Sequence, residues 1–161
     1  MPPYFTRTEK MSITYGEIKA RLTDLGFEED DVTADEYPRI FINSLNRAAE
    51  ILYSTVMLKI EDYLLKQENT PIDMTVEIDL TSGSRLKKIT KITDETEDDD
   101  EIEIPYELIP LYTLLAAHYA WLDDDLTKAT LYWNEFDSIK QELLTSAMMP
   151  KNAVVKGGVR I

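Results

Sequence analysis

The sequence is acidic, lacks cysteine and has a length that suits one domain. Its 161 residues hold 31 Asp and Glu against 17 Lys and Arg, a formal net charge of −14, and the 43% apolar content can form a packed core. The absence of Cys excludes disulfides and a Cys nucleophile. The negative charge argues against a protein that binds the phosphates of nucleic acid.

The charge is concentrated in the middle of the chain. Residues 1–11 have a net charge of +1, residues 150–161 have +3 with no acidic residue, and residues 12–149 therefore have −18. The first segment shows no periodicity and contains two prolines, so we predict an extended N-terminal arm. The last segment contains two adjacent glycines and no helical face, which predicts an extended C-terminal arm.

Two helices are predicted in the first half. Thr14 and Glu17 form the capping-box pattern before an apolar face at helical spacing, and Gly26 ends that helix, which predicts residues 15–25. A second helix is predicted over 38–67, because Pro38 suits a first turn and apolar residues then recur at helical spacing. At 1.5 Å per residue this helix would be roughly 45 Å long.

The middle of the chain has the pattern of β-strands. Residues 72–81 alternate apolar and polar residues without error, which predicts a half-buried strand. A turn at 82–84 leads to a second predicted strand, 85–93, and a short third strand is predicted over 101–104. The acidic segment 94–101 between them is interpreted as a solvated loop. Residues 72–104 therefore predict a small antiparallel element inserted between helices.

The last two predicted helices form a hairpin. Residues 106–122 are apolar on more than one face, which indicates a helix buried on several sides. A tight acidic turn at 123–125 leads to a helix over about 126–147, and the short link predicts that the two helices pack together. Side chains from both are expected in the core between them: Leu111, Leu115, Trp121, Trp133 and Phe136.

Together these patterns predict a mainly α fold. We expect a four-helix bundle-like core with a three-stranded antiparallel insertion at about 72–104, in a single domain over residues 1–149. Residues 150–161 are expected to form an extended C-terminal arm outside that domain.

No constellation for catalysis is found. The only histidine, His118, lies on a mostly apolar helix and is expected to be a packed residue rather than a catalyst. No HExxH, P-loop, GxGxxG or Ser-His-Asp pattern is present, so we expect no enzyme, catalytic residue or cofactor. The acidic run 97–101 lacks the spacing of a Ca²⁺ loop, and no metal site is expected. No apolar run reaches the roughly 18 residues of a membrane span, so no membrane partner is expected.

The extended features suit contacts between chains. Arms and a β-flap that cannot be buried within one subunit are typical of interfaces. Basic ends on an acidic body give each subunit complementary surfaces, which favours head-to-tail association and closure into a ring. Alternatively, both ends are disordered in the isolated chain.

The helical half resembles a known family. The segment IEIPYELIPLYTLLAAHYAWLDDDLTKATLYWNEFDSIKQELL at 102–144 resembles the head–tail connector (adaptor) proteins of long-tailed double-stranded DNA bacteriophages. The strings ITYGEIKARL and FINSLNRAAEIL, and the β-excursion between the second and third helices, are also similar to that family. The similarity covers about residues 13–146, and its motifs are packing and turn signatures.

This resemblance implies a structural role in the virion neck. It implies a homo-oligomeric ring, commonly of twelve subunits, between the portal protein and the head-closure (stopper) or tail protein. The genome DNA would pass through without specific binding, and the subunits would assemble in the host cytoplasm. The family's C-terminal arm often docks on the portal; the corresponding residues are Met149, Lys151, Val154, Val155, Lys156, Val159, Arg160 and Ile161.

Two other functions remain open. A tail-completion or stopper-type protein would stay within virion assembly, although such proteins tend to be rich in β-structure. An acidic DNA-mimicking inhibitor of a host factor is a different class, and its acidic residues should be spread regularly over an exposed surface. Here many of them fall in predicted loops, at 28–31, 97–101 and 123–125.

Overall fold

Four α-helices carry most of the described structure, a computed structural model that describes residues 12–27, 38–65 and 72–148. They are α1 (Tyr15–Asp24), α2 (Pro38–Thr55), α3 (Ile109–Trp121) and α4 (Leu126–Met148). Short antiparallel strands lie before α1 and between α2 and α3. The predicted mainly α fold with a small antiparallel insertion is confirmed. The predicted arms, 1–11 and 150–161, lie outside the described residues.

Helix α1 begins and ends as the sequence predicts. The Thr14 Oγ1 atom accepts a hydrogen bond from the Glu17 N–H at 3.2 Å, which satisfies one of the free donors of the first turn. The Glu17 carboxylate accepts from the Thr14 hydroxyl rather than from its backbone N–H. At the other end Gly26 has φ +96°, the left-handed conformation that favours glycine.

Helix α2 ends at Thr55, so its predicted extension to residue 67 is wrong. The Thr55 hydroxyl donates to the Ile51 carbonyl at 2.7 Å, and Val56 then leaves the helical conformation with φ −130°. The helix is therefore roughly 27 Å long rather than about 45 Å. Two 3₁₀ turns, Met57–Lys59 and Glu61–Tyr63, continue the chain. The apolar residues beyond Thr55 stay buried in this new direction, which explains why the sequence periodicity continued.

The core is centred on α3, which packs against both α2 and α4. Seven consecutive residues of α3, Leu111 to Ala117, are buried, as predicted for a helix with several apolar faces. A 3₁₀ turn, Tyr106–Leu108, precedes α3. The predicted hairpin of the last two helices is confirmed. Asp125 caps α4 by accepting from the Lys128 N–H at 3.1 Å.

Within the described ranges, five short strands form two separate sheets. β2 (Leu64–Leu65), β4 (Arg85–Lys87) and β3 (Val76–Ile78) form an antiparallel sheet in the order β2-β4-β3. β5 (Glu101–Glu103) pairs instead with β1 (Ser12–Thr14), where Ile102 lies opposite Ile13 and both are buried. The predicted strand 101–104 is therefore present, but its expected place in the sheet of the insertion is wrong, because residues 64–65 take that place.

Both hairpin strands are shorter than predicted, for different reasons. The predicted strand 72–81 is reduced to β3 because Asp73 organises a turn before it, accepting from the Thr75 N–H at 2.8 Å. The predicted strand 85–93 ends at Lys87 because the backbone of Ile89 and Ile92 binds side chains of α2, and the Thr90 N–H turns to the Glu103 carbonyl rather than continuing the hairpin ladder.

Two polar side chains of α2 hold that backbone segment. Asn46 donates to the Ile92 carbonyl at 2.8 Å and accepts from the Ile92 N–H at 3.0 Å, which imitates a neighbouring strand. The Tyr53 hydroxyl accepts from the Ile89 N–H at 2.8 Å and donates to the Ile89 carbonyl at 3.2 Å. Burial raises the pKa of Tyr53, so it stays neutral and can donate. These contacts fix the β-insertion to the helical core.

Candidate assembly surfaces

The predicted portal-binding arm lies outside the described residues. This holds for every residue named for it: Met149, Lys151, Val154, Val155, Lys156, Val159, Arg160 and Ile161. The arm therefore stays a prediction from the sequence. The surfaces described below belong to residues 12–27, 38–65 and 72–148.

The five residues predicted for the core differ in how deeply they are buried. Leu111, Leu115 and Phe136 are completely buried, as predicted. Trp121 is half-buried and packs against the core cluster, where it stacks on Phe27 with ring centroids 4.9 Å apart, so it lies at the edge of the core.

The core assignment of Trp133 is wrong. Its side chain is 36% exposed, because it lies at the edge of the buried face of α4. Its ring contacts Phe136 at a centroid distance of 5.2 Å and His118 at 5.2 Å. Trp133 therefore covers the seam between α3 and α4 from outside.

His118 is a packed residue, as predicted. Its Nδ1 atom lies 2.7 Å from the Ala129 carbonyl oxygen, so Nδ1 carries the proton and donates. Its ring also contacts Tyr119. The hydrogen bond joins α3 to α4 and gives His118 a structural role in the helical hairpin.

The acidic loop 94–101 has exposed carboxylates, yet its backbone is bound to α1. The Asp98 carbonyl accepts from the Gly16 N–H, and the Asp100 carbonyl accepts from the Tyr15 N–H, each at 3.0 Å. A Cβ atom on Gly16 would lie 3.3 Å from the Asp98 carbonyl oxygen, so glycine permits this close approach. The Asp98 carboxylate also pairs with Lys19 at 2.5 Å. The loop therefore joins the β-insertion to α1.

In 12–27, 38–65 and 72–148, no three His, Asp or Glu side chains lie together as a possible metal site. Within these same ranges no helix combines the length and apolar character that crossing a membrane requires.

The β3–β4 hairpin turns its apolar row away from the core. Leu86 is completely buried in the core and lies opposite Glu77, so Glu77 shares the inner face. Ile78 lies opposite Arg85, and Val76 lies opposite Lys87, so these four side chains share the outer face. Although Val76 is buried, it is not part of the core cluster. The sequence predicted an apolar face correctly, but not that it faces outwards.

The most exposed large apolar side chains of the described chain flank β3. Met74, two residues before the strand, is 90% exposed, and Leu80, two residues after it, is 95% exposed. Ile72 is also exposed. We call the following residues the hairpin surface: Met74, Ile78, Leu80, Arg85 and Lys87.

The loop that carries Leu80 is well ordered by Asp79. One carboxylate oxygen of Asp79 accepts from the Ser82 hydroxyl at 2.7 Å, and the other accepts from the Thr81 N–H at 3.0 Å. These hydrogen bonds lower the pKa of Asp79 below its ordinary value. Gly83 has φ +79°, which completes the turn. Leu80 is thus presented to solvent by a defined loop.

A second apolar surface lies at the turn between α3 and α4. Leu126 is 65% exposed, and Leu122 is also at the surface. Asp123 and Asp124 lie exposed between them. The turn is ordered by its backbone, since the Trp121 carbonyl accepts from the Asp124 N–H at 3.1 Å. We call the following residues the turn surface: Leu122, Asp123, Asp124 and Leu126.

Sequence reasoning missed both surfaces. The alternation at 72–81 and the LDDDL string at 122–126 were visible, but alternation does not reveal which face a core covers. Two signals in the sequence could have helped. In the hairpin, apolar residues occur together with cations, and at the turn between α3 and α4, apolar residues occur together with acidic residues.

Comparison with known proteins adds no relative. No protein family model matches the chain, and neither the curated proteins nor the solved structures searched contain a match.

Proposed function

We propose that this chain is a structural subunit of a ring-shaped adaptor in a long-tailed bacteriophage. In this proposal the ring lies between the portal and the head-closure (stopper) or tail protein and extends the channel through which DNA passes. The subunit acts by assembly in the virion neck and performs no catalysis.

The observation that carries the proposal is the pair of separate apolar surfaces. The hairpin surface and the turn surface each expose leucine to solvent, and the hairpin surface holds the two most exposed large apolar side chains of the described residues. Exposed apolar patches on a folded protein are typical of interaction sites. Two different patches on one subunit suit head-to-tail assembly, because each subunit can then contact two neighbours.

The helical fold supports the adaptor over the stopper-type alternative. Four helices hold the described core, and the strands have two or three residues each. This agrees with the resemblance of residues 102–144 to connector proteins, whereas stopper-type proteins tend to be rich in β-structure. The acidic DNA mimic is less well supported, because the acidic loop 94–101 is partly used to bind α1.

The charge of the chain supports passage of DNA without binding. Residues 12–149 have a net charge of −18. A channel lined with carboxylates repels the phosphates of the duplex, so the DNA slides instead of adhering. The basic segment 150–161 is instead assigned to the contact with the portal.

The test is binding to the portal protein encoded in the same phage genome. The chain lacking residues 150–161 should fold normally but no longer bind portal particles in a pull-down. Replacing the three cations of that segment, Lys151, Lys156 and Arg160, with Gln should weaken binding, because the charge complementarity is lost.

A matched control changes three exposed cations elsewhere. Replacing Arg39, Lys59 and Lys91 with Gln alters the net charge equally but leaves the segment intact. This control should bind portal particles like the natural chain. Unchanged portal binding by the truncated chain would contradict the assignment of the segment, and no binding by the natural chain would contradict the proposed function.

A further inference from the structure

We propose that the hairpin surface of one copy docks on the turn surface of the next copy of this chain. The hairpin surface (Met74, Ile78, Leu80, Arg85 and Lys87) and the turn surface (Leu122, Asp123, Asp124 and Leu126) are then the two halves of one subunit interface.

The first reason is that both surfaces expose apolar side chains that the described part of the chain leaves uncovered. Leu80 and Met74 are almost fully accessible, and Leu126 is about two-thirds accessible. Burying a leucine side chain contributes roughly 1.5–3 kcal/mol. Apolar residues beside an exposed edge strand also promote association, which folded proteins normally prevent there with charge or proline.

The second reason is that the charges of the two surfaces are complementary. The hairpin surface carries two cations and no acidic residue, whereas the turn surface carries two carboxylates and no cation. Among the described residues, Asp123 and Asp124 form no ion pair, and Lys87 forms none although its charge acts on the nearby Asp73 carboxyl. The exposed ammonium of Lys87 and the exposed carboxylates of the turn surface attract each other across such a contact, and opposite charges steer the two surfaces together.

The third reason is that charge disfavours symmetric pairing. Two hairpin surfaces facing each other would bring the cations of both copies close together, and two turn surfaces would bring carboxylates together. The favoured contact is therefore heterologous, with a different surface from each copy. Repetition of a heterologous contact gives a ring when its rotation closes and a filament when it does not.

This inference rests on the proposed ring function, because it names the contact between neighbouring subunits. Its test nevertheless uses the chain alone, without a portal. The mass of the natural chain is measured by sedimentation over a concentration series up to its solubility limit. The same series is run for Lys87→Glu, for Asp123→Lys with Asp124→Lys, and for the combined variant.

The charge reversals should have reciprocal effects. The natural chain should increase in mass with concentration. Each reversal alone should weaken association at least about tenfold, because it places like charges in the contact. The combined variant should regain association, because the two surfaces are again opposite in charge. All substituted side chains are exposed, so circular dichroism should show an unchanged fold.

Two matched controls separate the surfaces from general effects. Lys91→Glu changes the net charge as Lys87→Glu does, but at a different exposed site, and should leave association unchanged. Leu80→Ser should weaken association, whereas Leu131→Ser, at another exposed leucine on α4, should not.

Three results would overturn the contact. They are a natural chain that stays monomeric up to its solubility limit, equal weakening by Lys91→Glu and Lys87→Glu, and failure of the combined variant to regain association. The portal experiment is independent of these results. If the chain self-associates as the charge reversals predict but does not bind the portal, the subunit contact is upheld and the adaptor function is rejected. If the chain binds the portal but does not self-associate in this way, only the subunit contact is rejected.

Discussion

The helical core and the β-insertion differ in how they use apolar residues. In α3 the apolar side chains point inwards on nearly every side, and seven consecutive residues are buried. In the β3–β4 hairpin, Leu86 reaches the core, while the perfectly alternating apolar row of β3 lies on the outer face. One region thus buries its apolar side chains, whereas the other exposes Met74 and Leu80 beside its strand, which the proposed subunit contact would cover.

The difference also shows in how the two regions are held. The core is stabilised by close packing of large apolar side chains such as Tyr112 and Phe136. The insertion has strands of two or three residues and depends on polar contacts from Asn46 and Tyr53 to the Ile89–Ile92 backbone. Such short strands are not stable alone, so the helical core determines where the hairpin surface lies.

The largest expected effect is on the free energy of unfolding, when the same Leu→Ala substitution is made in each of the two regions. Leu115→Ala should lower the free energy of unfolding by about 2–5 kcal/mol, because it leaves a cavity in the buried face of α3. Leu80→Ala should change it by less than about 0.5 kcal/mol, since that side chain is exposed. Chemical denaturation measures both. Equal losses would show that Leu80 also supports the fold.

The second prediction tests the polar contact between the regions. Tyr53→Phe removes a hydroxyl that both accepts from and donates to the Ile89 backbone, so it should cost about 1–3 kcal/mol. Tyr119→Phe is the control, because that hydroxyl forms no hydrogen bond within the described residues. Amide exchange at Ile89 should accelerate in Tyr53→Phe alone. Unchanged protection at Ile89 would exclude this contact.

The third prediction concerns the core and has the opposite sign. The Tyr112 hydroxyl is buried and has no hydrogen-bond partner among the described residues, and burial raises its pKa. Tyr112→Phe removes this desolvated group and keeps the ring, so it should raise the free energy of unfolding by about 1 kcal/mol. Thermal denaturation measures the change. A clear loss of stability would show that the hydroxyl has a favourable partner.

The smallest effect is a pH dependence within the hairpin loop. Hydrogen bonds from Ser82 and Thr81 lower the pKa of Asp79 below its ordinary value of 3.8. The contribution of these bonds is therefore present above pH 3.8 and is lost as the pH falls through the lower pKa of the folded state. The amide shift of Thr81 should titrate with a midpoint below 3.8, and a midpoint at or above this value would contradict the loop geometry.

Local signals in the sequence predicted the helices well. The Thr14 cap, the Gly26 termination and the short acidic turn at 123–125 each depend on neighbouring residues, and the structure contains all three. The end of α2 was missed because apolar periodicity reports burial, and the residues after Thr55 stay buried in another conformation.

Long-range contacts limited the prediction of the β-insertion and of the assembly surfaces. Nothing local to residues 101–103 shows that they pair with residues 12–14 rather than with the hairpin. Similarly, the outward orientation of β3 is set by Leu86, which occupies the core on the neighbouring strand. The residues predicted to bind the portal all belong to the arm, 149–161, and lie outside the described ranges.

The most direct test of the proposed adaptor function is an electron image, with a mass measurement, of this chain mixed with a bacteriophage portal protein, the partner that the proposal names. The proposed function predicts a closed ring of subunits on the axis of the portal, with a bound mass that is a multiple of 18.6 kDa. Portal particles that bind no ring under conditions where both proteins are folded would contradict it.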